Sequence, residues 1–406
     1  MQIYADNAAT TKMSRLAIDT MLPYMDVLYG NPSSLHTPGQ KAAEALFSAR
    51  ETIAKYLNCE PREITFTSGG SESDNQAILS AVGAGARKNK KHIISTAFEH
   101  HAVLHALKKL QKQGYEVTLL DVHENGLITP EQVKQAIRPD TALVTVMYAN
   151  NEIGTVQPIA EIGKICREAG VPFHTDAVQA AGHIPIDVKA QNIDLLSLSA
   201  HKFHGPKGVG VLYARKGVPL TTLIEGGAQE RGRRAGTENI PAIMAMAASF
   251  AYMCDRIDEH TEKLTALRDR LMKGLGQIPR SILNGDPTRR LPGNVNFCFE
   301  GIEGESLLLL LDAKGVYASS GSACTSGSLD PSHVLLAIGR PHEIAHGSLR
   351  LTLSDENTEE EVDYIIKSVE EVVERLRAMS PVWQDLLAGR KNYVIKQCKN
   401  YAQTLN

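Results

Sequence analysis

From residue 60 to residue 260, short apolar runs alternate with stretches of helical period. The runs 63–67, 92–96, 116–121, 142–149, 171–175, 195–199 and 208–214 read as strands. Several are almost continuously apolar, which marks strands covered on both faces by crossover helices. Between them, 102–113, 129–137 and 158–169 read as helices. Thr129-Pro130-Glu131-Gln132 combines an N-cap, a proline at the first helical position and a capping-box glutamine. This alternation predicts an α/β body with a mainly parallel sheet.

Beyond residue 260 the pattern changes: a helix over 261–275 precedes short strands at 295–299, 316–319 and 348–352, with helices at 305–313 and 332–338. Val362, Ile365, Ile366, Val369, Val372, Val373 and Leu376 then recur along one face of a long helix. The expected division is a large domain over 15–260, a smaller α+β domain made of 1–14 with 261–385, and a polar tail over 386–406.

Composition narrows the class. The 406 residues are 43% hydrophobic and 22% charged, ordinary for a globular protein. A net charge of -3 offers no basic footprint, so no nucleic-acid partner is expected. No apolar run approaches the ~18 residues of a membrane span, and the first residues lack the pattern of a signal peptide. Cys59, Cys166, Cys254, Cys298, Cys324 and Cys398 form no C-x-x-C pair, which argues against a disulfide framework or a zinc site. The expectation is a cytoplasmic enzyme without a membrane partner.

Four stretches carry candidate chemistry. Thr67-Ser68-Gly69-Gly70-Ser71-Glu72-Ser73 joins a strand to a helix, where backbone N–H groups, hydroxyls and the helix dipole can hold a phosphate. A turn rich in Gly and Ser for its geometry alone remains the alternative. Asp176 stands at the carboxyl end of a buried strand, where α/β sheets place their sites, or else caps a following helix. Lys202 stands at another strand end, where desolvation would lower its pKa and make it a nucleophile toward an aldehyde. Cys324 lies among small residues from Ser319 to Ser328, a run expected to be mobile and its thiol reactive. A phosphate cradle, a strand-end carboxylate and a strand-end lysine together match the three handles of pyridoxal phosphate.

Seven segments extend the match: Asp6-Asn7-Ala8-Ala9-Thr10-Thr11, the run 67–72, Ala149-Asn150-Asn151-Glu152-Ile153-Gly154, Asp176 with Gln179, Ser199-Ala200-His201-Lys202, Arg234-Ala235-Gly236-Thr237 and the run 319–326. In order and spacing, over residues 3–380, they resemble cysteine desulfurases of the NifS/IscS type, within the class V aminotransferases of pyridoxal-phosphate fold type I.

The resemblance implies a seven-stranded, mainly parallel sheet and a role for each matched residue. Lys202 would hold the cofactor as a Schiff base and shuttle protons. Asp176 would pair with the ring nitrogen, Gln179 with the ring hydroxyl, and His100 would stack on the ring and act as acid or base. Gly70, Ser71, Ser199 and His201 would hold the phosphate, joined by Thr237 from the neighbouring subunit of a homodimer. Arg350 would clamp the carboxylate of L-cysteine, with Asn151 beside it. Cys324 would take the sulfur as a persulfide, leave alanine, and pass the sulfur to a NifU/IscU-type scaffold for iron–sulfur cluster assembly. No resident metal is implied, only Cys324 as a transient ligand of a nascent cluster. His101 reads as a bystander. A selenocysteine or cysteine-sulfinate lyase, a class V transaminase, or a non-catalytic docking protein on the same fold are the alternatives; the Cys324 run favours cysteine.

Overall fold

The computed structural model describes residues 1–320 and 331–390. Its central sheet has seven strands in the spatial order Ile64–Thr67, Gly210–Ala214, Leu195–Ser199, Phe173–Asp176, Thr141–Thr145, His92–Thr96 and Glu116–Leu120. Gly210–Ala214 is antiparallel to both of its neighbours, and the remaining pairs are parallel. Every strand except the edge strand Glu116–Leu120 is buried along its whole length, which is why apolar neighbours such as Ile93 and Ile94 or Leu195 and Leu196 follow one another without strict alternation.

Helices cover both faces. On one, Ile78, Ala81 and Val82 of Gly70–Ala86 pack on Leu143, Leu195 and Leu212. On the other, Phe66, Val144, Phe173, Leu196 and Val211 pack with Ile162 and with Phe250 of the helix Ile240–Asp255. The carboxyl ends of the parallel strands therefore open toward one rim.

A second, antiparallel sheet runs Ser348–Thr352, Asn294–Phe299, Ser281–Leu283. Ile3–Tyr4 pairs with Val316–Tyr317, and Ile3 and Ala5 share a core with Val295, Leu349, Val362, Val369 and Val373. Residues 334–338, by contrast, pack into the core of the large sheet. Two bonds seat that stretch: Ser332 Oγ donates to Glu152 Oε2, and His333 Nε2 lies 2.9 Å from Glu99 O.

Some boundaries differ from the sequence reading. The strand expected over 142–149 is Thr141–Thr145, because Asn150 Oδ1 accepts from the N–H groups of Glu152 and Ile153 and turns the chain. The helix expected after the Thr67–Ser73 run begins inside it, at Gly70, directly after Gly69 at φ 149°, a conformation that glycine supplies. Asp176 caps no helix; its Oδ1 accepts from Val178 N in a turn at 2.9 Å. The helices Arg15–Asp26 and Thr37–Leu57 were not legible from the pattern.

Candidate active site

The strand Ile64–Thr67 runs through Ser68 and Gly69 into the helix Gly70–Ala86, so the first helical N–H groups face outward from the strand end. A cavity there is lined by Ser68, Gly69, Gly70, Ser71, Ser199, His201 and Lys207. The turn is braced from behind: Ser68 N donates to Glu72 Oε2 at 2.8 Å, and Arg234 Nε donates to Glu72 Oε1 at 3.0 Å. Burial disfavours ionisation of Glu72, but the bonds from Arg234 and Ser68 outweigh it and hold its carboxyl below the usual range. A Cβ on Gly210 would lie 2.6 Å from Gly69 Cα, so the neighbouring strand comes this close only because Gly210 has no side chain. Gly70, Ser71, Ser199 and His201 are thus brought together around one open cavity with a helix N-terminus and Lys207 in its lining. Thr237 is exposed and does not line this cavity of its own chain.

Lys202 ends the short turn Ala200–Lys202 that follows Leu195–Ser199. Its Nζ donates to Ala8 O at 2.6 Å and Ala9 O at 2.7 Å, and Gln179 Nε2 donates to Ala8 O at 3.0 Å. His201 Nδ1 lies 3.1 Å from Thr10 Oγ1. Burial, with Lys202 and Lys207 nearby, pushes the His201 imidazole down to about 4 and keeps it neutral.

Asp176 is 5% exposed, and donor atoms of Asp176, His100 and Asp74 all lie within 4.8 Å of one another. Burial raises the Asp176 carboxyl, against His100, the Val178 N–H and Lys202. His100 caps the helix His101–Lys112, its Nδ1 accepting from Ala102 N at 3.1 Å, which leaves the proton on Nε2. Burial lowers the His100 pKa; Asp176 opposes this, while Lys202 and His105 add to it. His101 packs on the rings of His105 and His333 and stands edge-on to His100, with ring centroids 6.3 Å apart.

Arg350, on Ser348–Thr352, is 3% exposed. Its Nη2 donates to Asp6 Oδ1 at 2.9 Å and its Nη1 to Asn151 O at 3.2 Å, while Nε has no hydrogen-bond partner among the described residues. Asp6 Oδ2 also accepts from Ser319 Oγ at 2.8 Å. The segment from Asp6 to Ala9 therefore touches Arg350 at one end and Lys202 at the other. Cys324 lies outside the described residues, between Ser319 bonded to Asp6 and Ser332 bonded to Glu152. Burial pushes the thiols of Cys59, Cys166 and Cys254 up to about 12 and that of Cys298 to about 11, so all four stay protonated and unreactive.

Sequence reasoning missed four acidic residues. Asp6 is the counter-ion of Arg350, and its place in the first matched segment was the available signal. Asp74 is buried beside Asp176. Glu99 is buried and pushed up to about 8 by desolvation, against bonds from Thr96 and Met147 N. Glu152, likewise pushed to about 7 by burial, holds Ser332. A carboxylate that becomes buried only through tertiary packing has no local sequence mark.

These features fit pyridoxal phosphate. The glycine-built cradle suits a phosphate, the buried Asp176 requires a cationic partner such as a protonated ring nitrogen, and Lys202 holds its amine on the carbonyls of Ala8 and Ala9, the second of which lines the cradle. Fold and site define a pyridoxal-phosphate enzyme of fold type I. Residues 3–365 match the family model described as aminotransferase class-V, and the chain belongs to that family.

Within it, the similarity is to cysteine desulfurases. The chain is 56% identical over 380 residues to the cysteine desulfurase IscS of Methanosarcina thermophila, covering 94% of each chain. Among solved structures, a NifS-like protein superposes with a TM-score of 0.87 at 38% identity, covering 93% of this chain and all of that one. SspA in complex with cysteine matches with a TM-score of 0.77 at 36% identity, covering 87% of this chain and 99% of its own.

Proposed function

We propose that the protein is a cysteine desulfurase: it takes sulfur from L-cysteine, leaves L-alanine and carries the sulfur as a persulfide on Cys324. One observation carries this reading. The segment from Asp6 to Ala9 bridges an amine at Lys202 and a carboxylate-binding fork at Arg350, beside a phosphate cradle and a buried Asp176. A related structure, SspA, holds cysteine itself.

When bound, pyridoxal phosphate supplies an aldehyde that links to amines and a ring that draws electrons from the substrate's α-carbon. This chain's residues do the rest. Ser71, Ser199, His201 and the backbone at Gly70 would hold the phosphate. Asp176 would keep the ring nitrogen protonated, Gln179 would hydrogen-bond the ring hydroxyl, and His100 would serve the ring with Nε2–H as a proton donor. Arg350 offers its open Nε–H edge to the cysteine carboxylate, with Asn151 alongside. Lys202 Nζ would anchor the cofactor and, as a free amine, would move the proton at the substrate's α-carbon. The Cβ–S bond breaks, the sulfur joins Cys324 Sγ, and a proton replaces it on the carbon skeleton, which leaves as alanine.

The reading extends to the assembly. Exposed Thr237 belongs to a homodimer in which it completes the partner's phosphate cradle. Support comes from the surface groove beside it, where Phe47, 54% exposed, meets Arg231 and Glu238, and from the nearby exposed Met25, Val27, Tyr29 and Leu35. The persulfide then passes to a scaffold protein of the NifU/IscU type in the cytoplasm; no single helix among the described residues is long and apolar enough to cross a membrane.

The test is an intact mass spectrum and peptide map after cysteine treatment, with borohydride reduction and mapping done on a separate sample kept free of cysteine. A gain of one sulfur on the Cys324 peptide, lost with reductant, and the cofactor on Lys202 are expected. Unimpaired alanine production by Cys324→Ala would favour the selenocysteine-lyase or transaminase reading.

A further inference from the structure

Next to Asp176 lies a second buried carboxyl that the reaction above does not use. Asp74, one turn into the helix Gly70–Ala86, is 1% exposed, and its Oδ1 has no hydrogen-bond partner among the described residues. A side-chain hydrogen bond joins it to Ser197. His174 Nε2 stands 3.6 Å from Asp74 Oδ1 and 3.0 Å from Ser197 Oγ, while His174 Nδ1 lies 2.8 Å from Thr145 Oγ1. Donor atoms of Asp74, Asp176 and His100 fall within 4.8 Å of one another, with Glu99 also exerting its field on the pair.

The charge balance of this cluster decides what Asp74 can be. Two carboxylates this close in a dry interior cannot both ionise. His174 does not supply the missing cation, since burial pushes its imidazole down to about 3. Glu99 has a burial-raised pKa of about 8 and is itself neutral at pH 7. Lys202 and His100 face Asp176 and favour its anionic form. For Asp74, burial is the largest influence and Asp176 adds to it, both raising its carboxyl well above the usual range, while Ser197 opposes.

We propose that Asp74 is a positioning residue that remains a neutral carboxylic acid against Asp176, so that the buried pair presents a single negative charge to the cationic ring nitrogen. The proposal rests on the pyridoxal-phosphate reading, which gives Asp176 its partner. The proton count closes without an outside donor. The ring nitrogen would arrive with its own proton, Asp176 would carry the pair's one negative charge, and Asp74 would keep its proton. One cation then faces one anion. Asp74 fills the remaining space as a hydrogen-bonding but uncharged wall, which keeps Asp176 from being repelled out of line.

The experiment uses the full chain, Asp74→Asn and Asp74→Ala. Pyridoxal phosphate titrated into each apoprotein should bind Asp74→Asn within about threefold of wild type, since the amide is a neutral isostere, and Asp74→Ala at least about tenfold more weakly. Infrared difference spectra of the apoproteins, wild type minus Asp74→Asn, should show the carbonyl band of a protonated carboxylic acid at pH 7. That readout needs no cofactor, so failure of the cofactor reading would appear as no binding by any of the three proteins with the band still present. Binding by Asp74→Asn weakened more than tenfold, a missing band, or an Asp74→Ala variant equal to wild type would each overturn the proposal. Should Asp74→Ala not fold, the asparagine variant and the infrared band still decide it.

Discussion

Arg350 shows how one side chain depends on chemistry rather than charge alone. Its Nη groups are held by Asp6 and the Asn151 carbonyl, which leaves the Nε edge of the fork for a carboxylate. Lysine has no such fork, so Arg350→Lys should raise the KM for cysteine by about 10–100-fold, the loss of roughly 1.5–3 kcal/mol of charge-assisted bonding, with a smaller change in kcat. Steady-state alanine release measures the split; an unchanged KM would remove Arg350 from the substrate site. Glu99 makes a different prediction. Burial raises its pKa from 4.5 to about 8, so the folded chain keeps a proton that the unfolded chain has lost. The stability this proton contributes is complete below pH 4.5 and disappears as pH rises through about 8. Glu99→Gln has no such proton, so its melting temperature relative to wild type should climb between pH 5 and 8. A gap that stays constant over that range would mean Glu99 is ionised in the fold.

At the scale of elements, the cradle is a product of close approach. The strand Gly210–Ala214 crosses beneath the Gly69 turn at a distance that leaves no room for a methyl group: a Cβ on Gly210 would sit 2.6 Å from both Gly69 Cα and Leu198 O. Both contacts are backbone, so neither can swing aside. Gly210→Ala should displace the turn, cost about 1–3 kcal/mol of stability, and weaken pyridoxal-phosphate binding by at least about tenfold. Cofactor titration against a melting curve checks both, and unchanged affinity would show that the turn can adapt. The cradle itself was legible in the chain, because Thr67-Ser68-Gly69-Gly70-Ser71 carries its turn chemistry locally. The need for glycine at position 210 was not, since one of the two atoms it avoids, Gly69 Cα, is about 140 residues away in the chain and the other is met only through strand pairing.

At the scale of the whole molecule, exposed Thr237 and the apolar groove beside it give the dimer reading a sharp test. Lys202→Ala and Thr237→Ala each damage both sites of a homodimer. In a mixed dimer, one site inherits both defects and the other inherits neither. Mixing the two variants under conditions that exchange subunits should therefore restore cofactor binding and alanine release toward about a quarter of the wild-type level, since random exchange pairs unlike subunits in half of the dimers and each of these has one intact site. Additive, unrestored activity in a demonstrated mixed dimer would place Thr237 outside the partner's site.

Although the helices Arg15–Asp26 and Thr37–Leu57 were not readable from the chain by itself, the succession of strands in the large sheet, the glycine turn after Thr67 and the placing of Asp176 at a strand end and of Lys202 in the turn just past one were. Each depends on periodicity, turn residues or neighbours within a few positions, and on a resemblance carried by short contiguous motifs. Packing alone decided that residues 6–9 would bridge Lys202 and Arg350, that Asp6 would neutralise Arg350, and that Asp74, Glu99 and Glu152 would lie dry inside the fold. The physical reason is desolvation. A carboxylate carries the same letters in water and in a core, and only the surrounding fold fixes which one it meets and whether it keeps its proton.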